Sequence, residues 1–358
     1  MRFAFVLKNL NGGGAEKAIL KTILLLSDAG HQCTLFLFES QSAHQLDSAI
    51  SVCSLSKKEV IGRGWLAKRM LAYILKRRLE EFGPDITIST LPFADEVTVL
   101  SNAKNHWCRI ANTLSVEIES LSKISRFKAL RRVSRYRKIY GNCNLIAVSE
   151  GVARDLAINL EISSRIEIIS NPFDRADIAQ KASESDLVTV KKPYILYVGR
   201  FSPQKRIDLL LDSFLKVQSN CLLVMLTTPN PELLKMIQSR QLIDRVLVMG
   251  FQNNPYAWMA NAELLVLTSD REGMPNVIIE SLLCGTPVVA TDCPSGPREI
   301  LSHISPQSLV PCGDSVALAE AIKFQLSHRE KEINIDLSKY DKTNTLKAYE
   351  RLITRLEN

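Results

Sequence analysis

Two glutamates in the last third of the chain, Glu272 and Glu280, have seven residues between them. Because a carboxylate accepts hydrogen bonds on both oxygens, it suits pairs of sugar hydroxyls. Pro275 fits the first position of a helix that begins after Glu272. Backbone N–H groups at this helix start can meet a phosphate or sugar hydroxyls, and they belong to Gly273, Met274 and Asn276. The pattern indicates a sugar-phosphate site, and a pair of surface glutamates is the alternative.

A second group of candidate residues follows the predicted strand Tyr194–Val198. Gly199 and Arg200 come directly after this strand, and Lys205 follows in the same loop. Parallel α/β sheets bind ligands beyond the carboxyl ends of their strands. Two cations in that position can neutralise a leaving diphosphate without a metal ion. A solvated, charged loop is the alternative, and composition alone favours it.

Three consecutive glycines, Gly12, Gly13 and Gly14, lie between a predicted strand over 3–7 and a helix that begins near Ala15. Glycines in such a turn let the backbone approach a ligand closely, and the helix start attracts anions. The spacing matches neither the dinucleotide-binding G-x-G-x-x-G motif nor the P-loop. The turn predicts a phosphate or acceptor site, with a tight structural turn as an equal alternative.

The segment from Lys123 to Lys138 contains eight basic residues and no acidic residue. Apolar residues are interleaved with the basic ones: Leu121, Ile124, Phe127, Leu130, Val133 and Tyr136. A basic amphipathic helix of this kind suits an anionic membrane surface. A solvated helix face is the alternative. Nucleic acid is not an expected partner, since the formal net charge of the whole chain is only +7.

These candidate residues lie among alternating predicted strands and helices. Each half of the chain opens with a short apolar strand, a loop and a helix, which is the pattern of a doubly wound parallel sheet. The alternation breaks at Asn171-Pro172, where a polar stretch follows. We predict an α/β protein with a first domain over 1–172, a linker over 173–191, a second domain over 192–342 and a closing amphipathic helix over 343–358.

Composition excludes several classes of protein. A chain of 358 residues with 46% hydrophobic and 23% charged residues is globular rather than disordered. The eight cysteines form no C-x-x-C pair, so neither a zinc site nor a disulfide framework is expected. No run of 18 apolar residues is present, and the N-terminus lacks the features of a signal peptide. We therefore expect a cytoplasmic location.

Taken together, the motifs resemble those of glycosyltransferase family 4. The two glutamates with Gly273-Met274-Pro275 between them are similar to the family signature, and Val198-Gly199-Arg200 with Lys205 is similar to its phosphate-binding loop. The stretch Asn11–Glu16 resembles its N-terminal glycine loop. Cys293–Ile300 resembles a subset that builds bacterial surface polysaccharides and lipid-linked oligosaccharides.

This resemblance implies the GT-B fold, in which two Rossmann-like domains face each other across a cleft and the last helix packs on the first domain. It implies a retaining hexosyltransferase that needs no metal or other cofactor. Carried over to this sequence, Arg200 and Lys205 hold the diphosphate, Glu272 contacts the donor sugar and Glu280 the ribose hydroxyls. The loop 12–14 lines the phosphate and acceptor side.

One position departs from the family pattern. Many members carry a histidine after a first-domain strand, but this chain reads Arg109-Ile110-Ala111-Asn112-Thr113 there. We expect Asn112 to take the place of that histidine. No carboxylate of the first domain stands out as a nucleophile, so a front-face reaction is expected, in which the leaving diphosphate takes the acceptor proton.

The function predicted is transfer of a hexose or N-acetylhexosamine from a nucleotide diphosphate-sugar, a UDP-sugar, to a glycan acceptor. The acceptor expected is lipid-linked or of the lipopolysaccharide type, with the enzyme peripheral to the inner face of the plasma membrane. Two alternatives stay open. One is a nucleotide-sugar epimerase of the same fold, and the other is a noncatalytic subunit that binds nucleotide sugars.

Overall fold

The chain folds into two compact units, which a computed structural model describes over residues 1–11, 13–39, 47–56, 61–62, 64–304, 306–328 and 336–354. The first domain comprises Met1–Pro172 and Tyr340–Asn358, and the second comprises Phe173–Lys339. Each domain contains one parallel sheet with helices. The α/β class predicted from the sequence is therefore confirmed.

The first domain is built on a sheet with the strand order β3-β2-β1-β4-β5-β6-β7, in which every described pairing is parallel. Its strands are β1 Arg2–Leu7, β2 Gln32–Leu37, β3 Ser51–Ser54, β4 Ile86–Thr90, β5 His106–Ile110, β6 Asn144–Ala147 and β7 Ile166–Ile168. Its helices are α1 Gly14–Asp28, α2 Trp65–Phe82, α3 Pro92–Ser101, α4 Leu114–Ser122, α5 Arg126–Tyr140, α6 Glu150–Arg154 and, from the end of the chain, α14 Lys342–Thr354.

The second domain has a parallel sheet with the order β10-β9-β8-β11-β12-β13. Its strands are β8 Tyr194–Val198, β9 Leu222–Leu226, β10 Val246–Val248, β11 Leu264–Leu267, β12 Val288–Thr291 and β13 Leu309–Val310. Its helices are α7 Arg175–Ala182, α8 Ile207–Phe214, α9 Pro231–Ser239, α10 Pro255–Ala260, α11 Asn276–Leu283, α12 Pro297–Leu301 and α13 Ser315–Ser327.

The central strands are continuous apolar runs because both of their faces are covered. Tyr194, Ile195 and Leu196 of β8 are buried, and so is all of β11. The sequence did not predict β3 or β13. β3 reads Ser-Val-Cys-Ser and is largely exposed, whereas β13 has only two residues, so neither presents an apolar run of ordinary strand length.

The last described helix, α14, belongs to the core of the first domain. Tyr349 and Leu352 are buried there with residues of β1 and α1. Tyr349 also contacts the fully buried guanidinium of Arg109, whose pKa is lowered by burial. Arg109 donates a hydrogen bond to Asn171 as well. The buried guanidinium of Arg109 on β5 thus links the closing helix α14 to Asn171, which follows β7.

Three local predictions need correction. Helix α7 lies within 173–191, the stretch predicted as a linker; Asp174 caps its start, and only Ile178 of this helix is buried, so no apolar stripe was readable. Helix α11 begins at Asn276, and Pro275 is the residue before its first turn. The basic segment is divided, since α4 ends at Ser122 and α5 begins after Ser125, which caps it.

Candidate functional site

The loops that follow β8 and β11 are joined by hydrogen bonds at the carboxyl ends of these two neighbouring strands. Thr268 Oγ1 donates to the carbonyl of Lys205 over 2.7 Å, and the amide of Asp270 donates to the carbonyl of Gln204 over 2.9 Å. The Gln204 side chain in turn donates to the carbonyl of Arg271 over 2.7 Å. The two motifs predicted to bind a sugar nucleotide therefore form one connected structure.

Two of the residues predicted as catalytic, Lys205 and Glu272, contact each other. Lys205 Nζ lies 2.6 Å from Glu272 Oε1, and Ser269 Oγ donates to the same oxygen over 2.6 Å. Glu272 is buried and Lys205 is half-buried. Because an ammonium group has three donors, Lys205 can hold Glu272 and still donate to a phosphate.

Arg200 is placed by the buried ring of Tyr197. The Tyr197 hydroxyl donates to the carbonyl of Arg200 over 3.3 Å, while the Arg200 side chain is exposed and, within the described ranges, forms no ion pair. Burial raises the pKa of Tyr197, and the negative charge of Glu272 raises it further, so Tyr197 stays neutral. A side chain at Gly199 would bring Cβ within 2.8 Å of the Tyr197 hydroxyl, which explains the glycine.

Arg206 completes the link between the two loops, although the sequence argument gave it no role. Its guanidinium lies 3.1 Å from Asp270 and donates to Asp208 over 3.0 Å. The bonds to Asp208 are the main reason that the pKa of Arg206 is raised. Burial opposes ionisation of Asp208, but the Arg206 bonds outweigh it and hold the pKa of Asp208 below its usual value.

The short stretch Gly273, Met274 and Pro275 is buried against Gly296. Gly296 has a φ of +90°, and a Cβ there would collide with the Pro275 ring and approach the Gly273 carbonyl to 3.3 Å. Gly296 therefore has to be glycine for both conformational and steric reasons. It shapes the loop that carries Glu272, and its steric role could not be read from the sequence.

Asn276 and Glu280 lie on one face of α11, because they are four residues apart on a helix. Both are half-buried. The hydroxyl of Tyr256, which is buried on α10, donates to Glu280 Oε1 over 3.2 Å. This bond orients the carboxylate that is predicted to bind ribose.

In the first domain, the glycine turn leads directly into α1. Gly12 lies outside the described residues. Gly13 precedes the helix with an extended backbone, and Gly14 is its first residue. A Cβ at Gly14 would meet nothing within 4 Å, so packing within the chain does not require glycine there. The helix start leaves backbone N–H groups that can bind an anion.

The segment that leads to this turn is held by Glu39, a residue that the sequence argument did not single out. Glu39 accepts hydrogen bonds from Lys8 Nζ over 2.8 Å, from the Asn9 side chain and from the Ile61 amide over 3.2 Å. Burial opposes ionisation of Glu39, but these donors outweigh it and lower its pKa. The carboxylate fixes the chain just before the glycines.

Asn112 follows β5 and accepts a hydrogen bond from the amide of Thr113 over 2.9 Å. The loop is anchored by Asp155, which is buried and was not predicted. Asp155 Oδ2 accepts from the amides of Leu114 over 2.8 Å and Ser115 over 3.2 Å, and it thereby caps α4. Asn112 and the glycine turn both lie beyond carboxyl ends of strands in the first sheet, but the structure describes no direct contact between them.

The described residues of the second-domain loops contain no group of three His, Cys, Asp or Glu side chains whose ligand atoms converge. Among the parts of the chain that the structure describes, the single group of three His, Cys, Asp or Glu side chains with converging ligand atoms lies in the first domain. No helix of the described residues combines the length and apolarity needed to cross a bilayer.

Comparison with known proteins identifies the family. A model described as Glycosyltransferase Family 4 matches residues 12–177, and one described as Glycosyl transferases group 1 matches residues 179–342. The chain belongs to glycosyltransferase family 4. The family predicted from the motifs is thereby confirmed.

Curated relatives of this glycosyltransferase align along most of its length. N-acetylgalactosamine-N,N'-diacetylbacillosaminyl-diphospho-undecaprenol 4-alpha-N-acetylgalactosaminyltransferase of Campylobacter jejuni is 28% identical over 89% of this chain and 88% of its own. Lipopolysaccharide 1,6-galactosyltransferase of Escherichia coli is 25% identical over 98% of this chain and 97% of its own. Both names describe transfer of a sugar to a lipid-linked or lipopolysaccharide acceptor.

The fold is shared with solved glycosyltransferase structures. HepE of Anabaena, solved with UDP and glucose, superimposes with a TM-score of 0.74 and 19% identity over 99% of this chain and all of its own. At this identity the likeness concerns the fold alone. The two parallel α/β domains and this likeness confirm the GT-B class.

Proposed function

We propose that this family-4 glycosyltransferase moves a hexose or N-acetylhexosamine from a UDP-sugar to a lipid-linked or lipopolysaccharide-type glycan, with retention at the anomeric carbon. The observation that carries the proposal is the contact between Lys205 and Glu272 across the joined loops of the second domain. This contact supports the proposal because Lys205, the cation proposed for the diphosphate, lies next to Glu272, the carboxylate proposed for the sugar. The names of the curated relatives support the class of acceptor.

Each predicted residue has a defined task in this proposal. Arg200 and Lys205 bind the diphosphate, together with the amides of Gly273 and Met274 before α11. Glu272 accepts hydrogen bonds from sugar hydroxyls, and Glu280 accepts those of the ribose while Tyr256 orients it. The glycine turn and Asn112 in the first domain serve the phosphate and acceptor side.

The reaction proposed takes place on one face of the sugar. The bond from the anomeric carbon to the diphosphate oxygen breaks, and the acceptor oxygen bonds to the same face of that carbon. The acceptor proton passes to the departing diphosphate. Arg200 and Lys205 stabilise the charge that develops on this leaving group, and such preorganised charges make a large contribution to catalysis.

The proposed transfer does not use a metal. Two cationic side chains supply the neutralisation that Mg²⁺ or Mn²⁺ provides elsewhere. We expect transfer to gain nothing from added Mg²⁺ or Mn²⁺, and we expect neither ion to restore activity that is lost in EDTA. Loss of activity in EDTA that Mg²⁺ or Mn²⁺ restores would contradict this part of the proposal.

Membrane contact is proposed through the first domain. On α5 and the turn before it, Ile124, Phe127 and Leu130 are 77%, 69% and 68% exposed. Lys128 and Arg131 lie beside them and, with other basic residues and Leu121, line a groove of about 350 Å³. Exposed apolar side chains flanked by cations suit an anionic bilayer interface.

Helix α2 of the same domain carries a second exposed apolar stripe. The side chains of Trp65, Leu66, Met70 and Tyr73 are each more than 60% exposed. Glu96 of α3 accepts hydrogen bonds from Lys68 of α2 over 2.8 Å and from Arg135 of α5 over 2.9 Å, so one carboxylate links the two helices. Trp and Tyr are side chains that favour the bilayer interface. We propose that α2 and α5 dock together on the cytoplasmic leaflet.

The test of the function is a transfer assay with a panel of UDP- and GDP-sugars and undecaprenyl-diphosphate-linked or lipopolysaccharide-core acceptors. We expect one donor to give a product with a retained anomeric configuration, which NMR of the product determines. Epimerisation of the donor without acceptor would favour the epimerase instead. Donor binding without any turnover across the panel would favour a noncatalytic subunit.

A further inference from the structure

A cluster of His and Cys side chains lies in the first domain, near the start of β5, whereas Asn112 follows the end of this strand. His106 and Cys108 are two residues apart on β5, so their side chains project from the same face of the strand. Cys143 lies just before β6, the neighbouring strand. One ligand atom from each of the three residues lies within 4.8 Å of the other two.

We propose that His106, Cys108 and Cys143 bind one zinc ion that is structural. His106 Nε2 lies 3.6 Å from Cys108 Sγ. A tetrahedral zinc ion with a nitrogen at about 2.0 Å and a sulfur at about 2.3 Å separates these two atoms by roughly 3.5 Å, and two sulfurs by roughly 3.8 Å. The distance between His106 and Cys108 thus matches a shared zinc ion, and Cys143 Sγ, which donates to the Ile139 carbonyl over 2.9 Å, lies within 4.8 Å of both ligand atoms.

The chemistry of the ligands selects the metal. Two thiolates and an imidazole favour zinc over Mg²⁺ and Ca²⁺, which prefer oxygen ligands. Two thiolates balance the charge of a divalent ion, and this matters because Cys108 is fully buried. His106 and Cys143 are half-buried, so an ion can enter from their side.

A fourth ligand is available beside the three. Ser89 Oγ lies 2.8 Å from His106 Nε2 and 3.7 Å from Cys108 Sγ, so this hydroxyl or a water in its place can complete a tetrahedron. Asp95 accepts from Ser89 over 2.6 Å and from the Tyr140 hydroxyl over 2.8 Å. Such carboxylates behind a metal site hold the ligands in orientation.

The position of the cluster indicates a structural role. Asn112 is six residues along the chain from His106, which amounts to roughly 20 Å at the rise of an extended strand. The ion would join β5 to the turn between α5 and β6, and so hold the base of the proposed membrane helix. It would take no part in sugar transfer.

The first experiment uses the full-length protein without substitutions. After purification without chelators, mass spectrometry of the metals should find about one zinc per chain. After removal of zinc, titration with Co²⁺ should give the thiolate charge-transfer band and the strong visible bands of a tetrahedral site. Absence of both zinc and these bands would overturn the proposal.

Variants identify the ligands. Cys143→Ser and His106→Gln should each lower Co²⁺ affinity by more than about 100-fold, since even residues behind a metal site contribute about 10- to 100-fold. Cys53→Ser removes another half-buried cysteine of the same domain and should leave the spectrum unchanged. Equal loss in all three variants would contradict the assignment.

The main alternative to the zinc site is a disulfide between two of its proposed ligands. If Cys108 and Cys143 form a disulfide in the purified protein, thiol titration without reductant finds two fewer thiols and reduction restores them. That result would overturn the zinc site. If EDTA slowly abolishes sugar transfer and Zn²⁺, but not Mg²⁺ or Mn²⁺, restores it, the zinc proposal is supported and the metal-free transfer mechanism stands.

Discussion

In the second domain two of the residues predicted to bind the donor contact each other directly, whereas in the first domain the predicted residues are held by others. Lys205 and Glu272 form a direct pair. Asn112 and the glycine turn are positioned by Asp155 and Glu39, which come from distant parts of the chain. A predicted donor site that depends on a direct contact between two of its residues tolerates little change. The first-domain residues can vary while the carboxylates that support them stay.

This difference predicts that single substitutions in the second domain have larger effects on catalysis than those in the first. The following expectations test it, from the largest effect to the smallest.

Replacement of Lys205 by alanine should reduce transfer most. Loss of one donor to the charge on the leaving group costs roughly 2.7–4 kcal/mol in the transition state, or about 100- to 1,000-fold in kcat. We expect Arg200→Ala to act in the same direction. Steady-state kinetics with saturating donor measure the effect. Lys235→Ala, which removes an exposed lysine of the same domain, is the control. Near-normal rates in both site variants would show that these cations do not stabilise the leaving group.

The second expectation concerns membrane binding. Arg126, Lys128 and Arg131 are exposed and make no ion pair within the described residues, whereas Arg132 and Arg135 are paired with Glu117 and Glu96. Changing the first three to glutamate therefore removes surface charge without breaking an ion pair of the described residues, although it removes the Arg131 guanidinium from its position 5.7 Å from the Phe127 ring centre.

At about 1 kcal/mol for each basic residue, the triple variant should bind anionic vesicles at least roughly 100-fold more weakly. Sedimentation with vesicles measures this, and salt should weaken the binding of the unchanged protein. Transfer to a water-soluble acceptor analogue should be kept. A control with Lys191, Lys192 and Lys235 changed to glutamate alters the net charge equally. Equal weakening in this control would show that net charge, not α5, causes the binding.

Asp155→Ala should disturb the first domain locally. Loss of this cap leaves two amides at the start of α4 without an acceptor, which costs about 2 kcal/mol. Hydrogen exchange of α4 should become faster. Transfer should fall roughly 10-fold through a higher acceptor KM, less than the roughly 100-fold that a displacement of about 1 Å can cause.

Asp314→Ala is the matched variant in the second domain, where Asp314 caps α13 by accepting from Val316 and Ala317. It should speed exchange in α13 and leave acceptor KM unchanged. If both variants raise acceptor KM alike, Asp155 has no special relation to the acceptor side.

The smallest expected effect concerns Trp65. It is 64% exposed, whereas Trp107 and Trp258 are buried, so changes in tryptophan emission on vesicle binding report on α2. Emission should shift to the blue, and brominated lipid should quench it. Trp65→Ser should weaken binding roughly 5-fold, or about 1 kcal/mol. Ile243→Ser, at a 60% exposed position of the second domain, should change nothing. An unchanged emission on bound vesicles would exclude α2 from the interface.

Much of the second domain could be predicted from the sequence because its signals are local. Strand β8 was predicted with the same ends that the structure shows, since it is an apolar run between polar loops. Arg200, Lys205, Glu272 and Glu280 occupy short segments, so their spacing could be compared with a family pattern directly. The alternation of predicted strands and helices along the chain also determined the α/β class.

Contacts between distant segments needed the tertiary structure. Gly296 meets Pro275, Asp155 caps α4, and Cys143 meets His106 only because the folded sheets bring these segments together. The spacing of cysteines gave no sign of the last cluster, since its side chains come from β5 and from the turn before β6. The sequence also did not predict that Ile124, Phe127 and Trp65 are exposed. Apolar residues at helical spacing are normally expected to be buried, and only the structure shows when no neighbouring element covers them. The sequence by itself therefore determined the family, most of the sheet strands and the motifs that are predicted to bind the donor. Only tertiary packing decided which residues support those motifs and which apolar faces remain open to solvent.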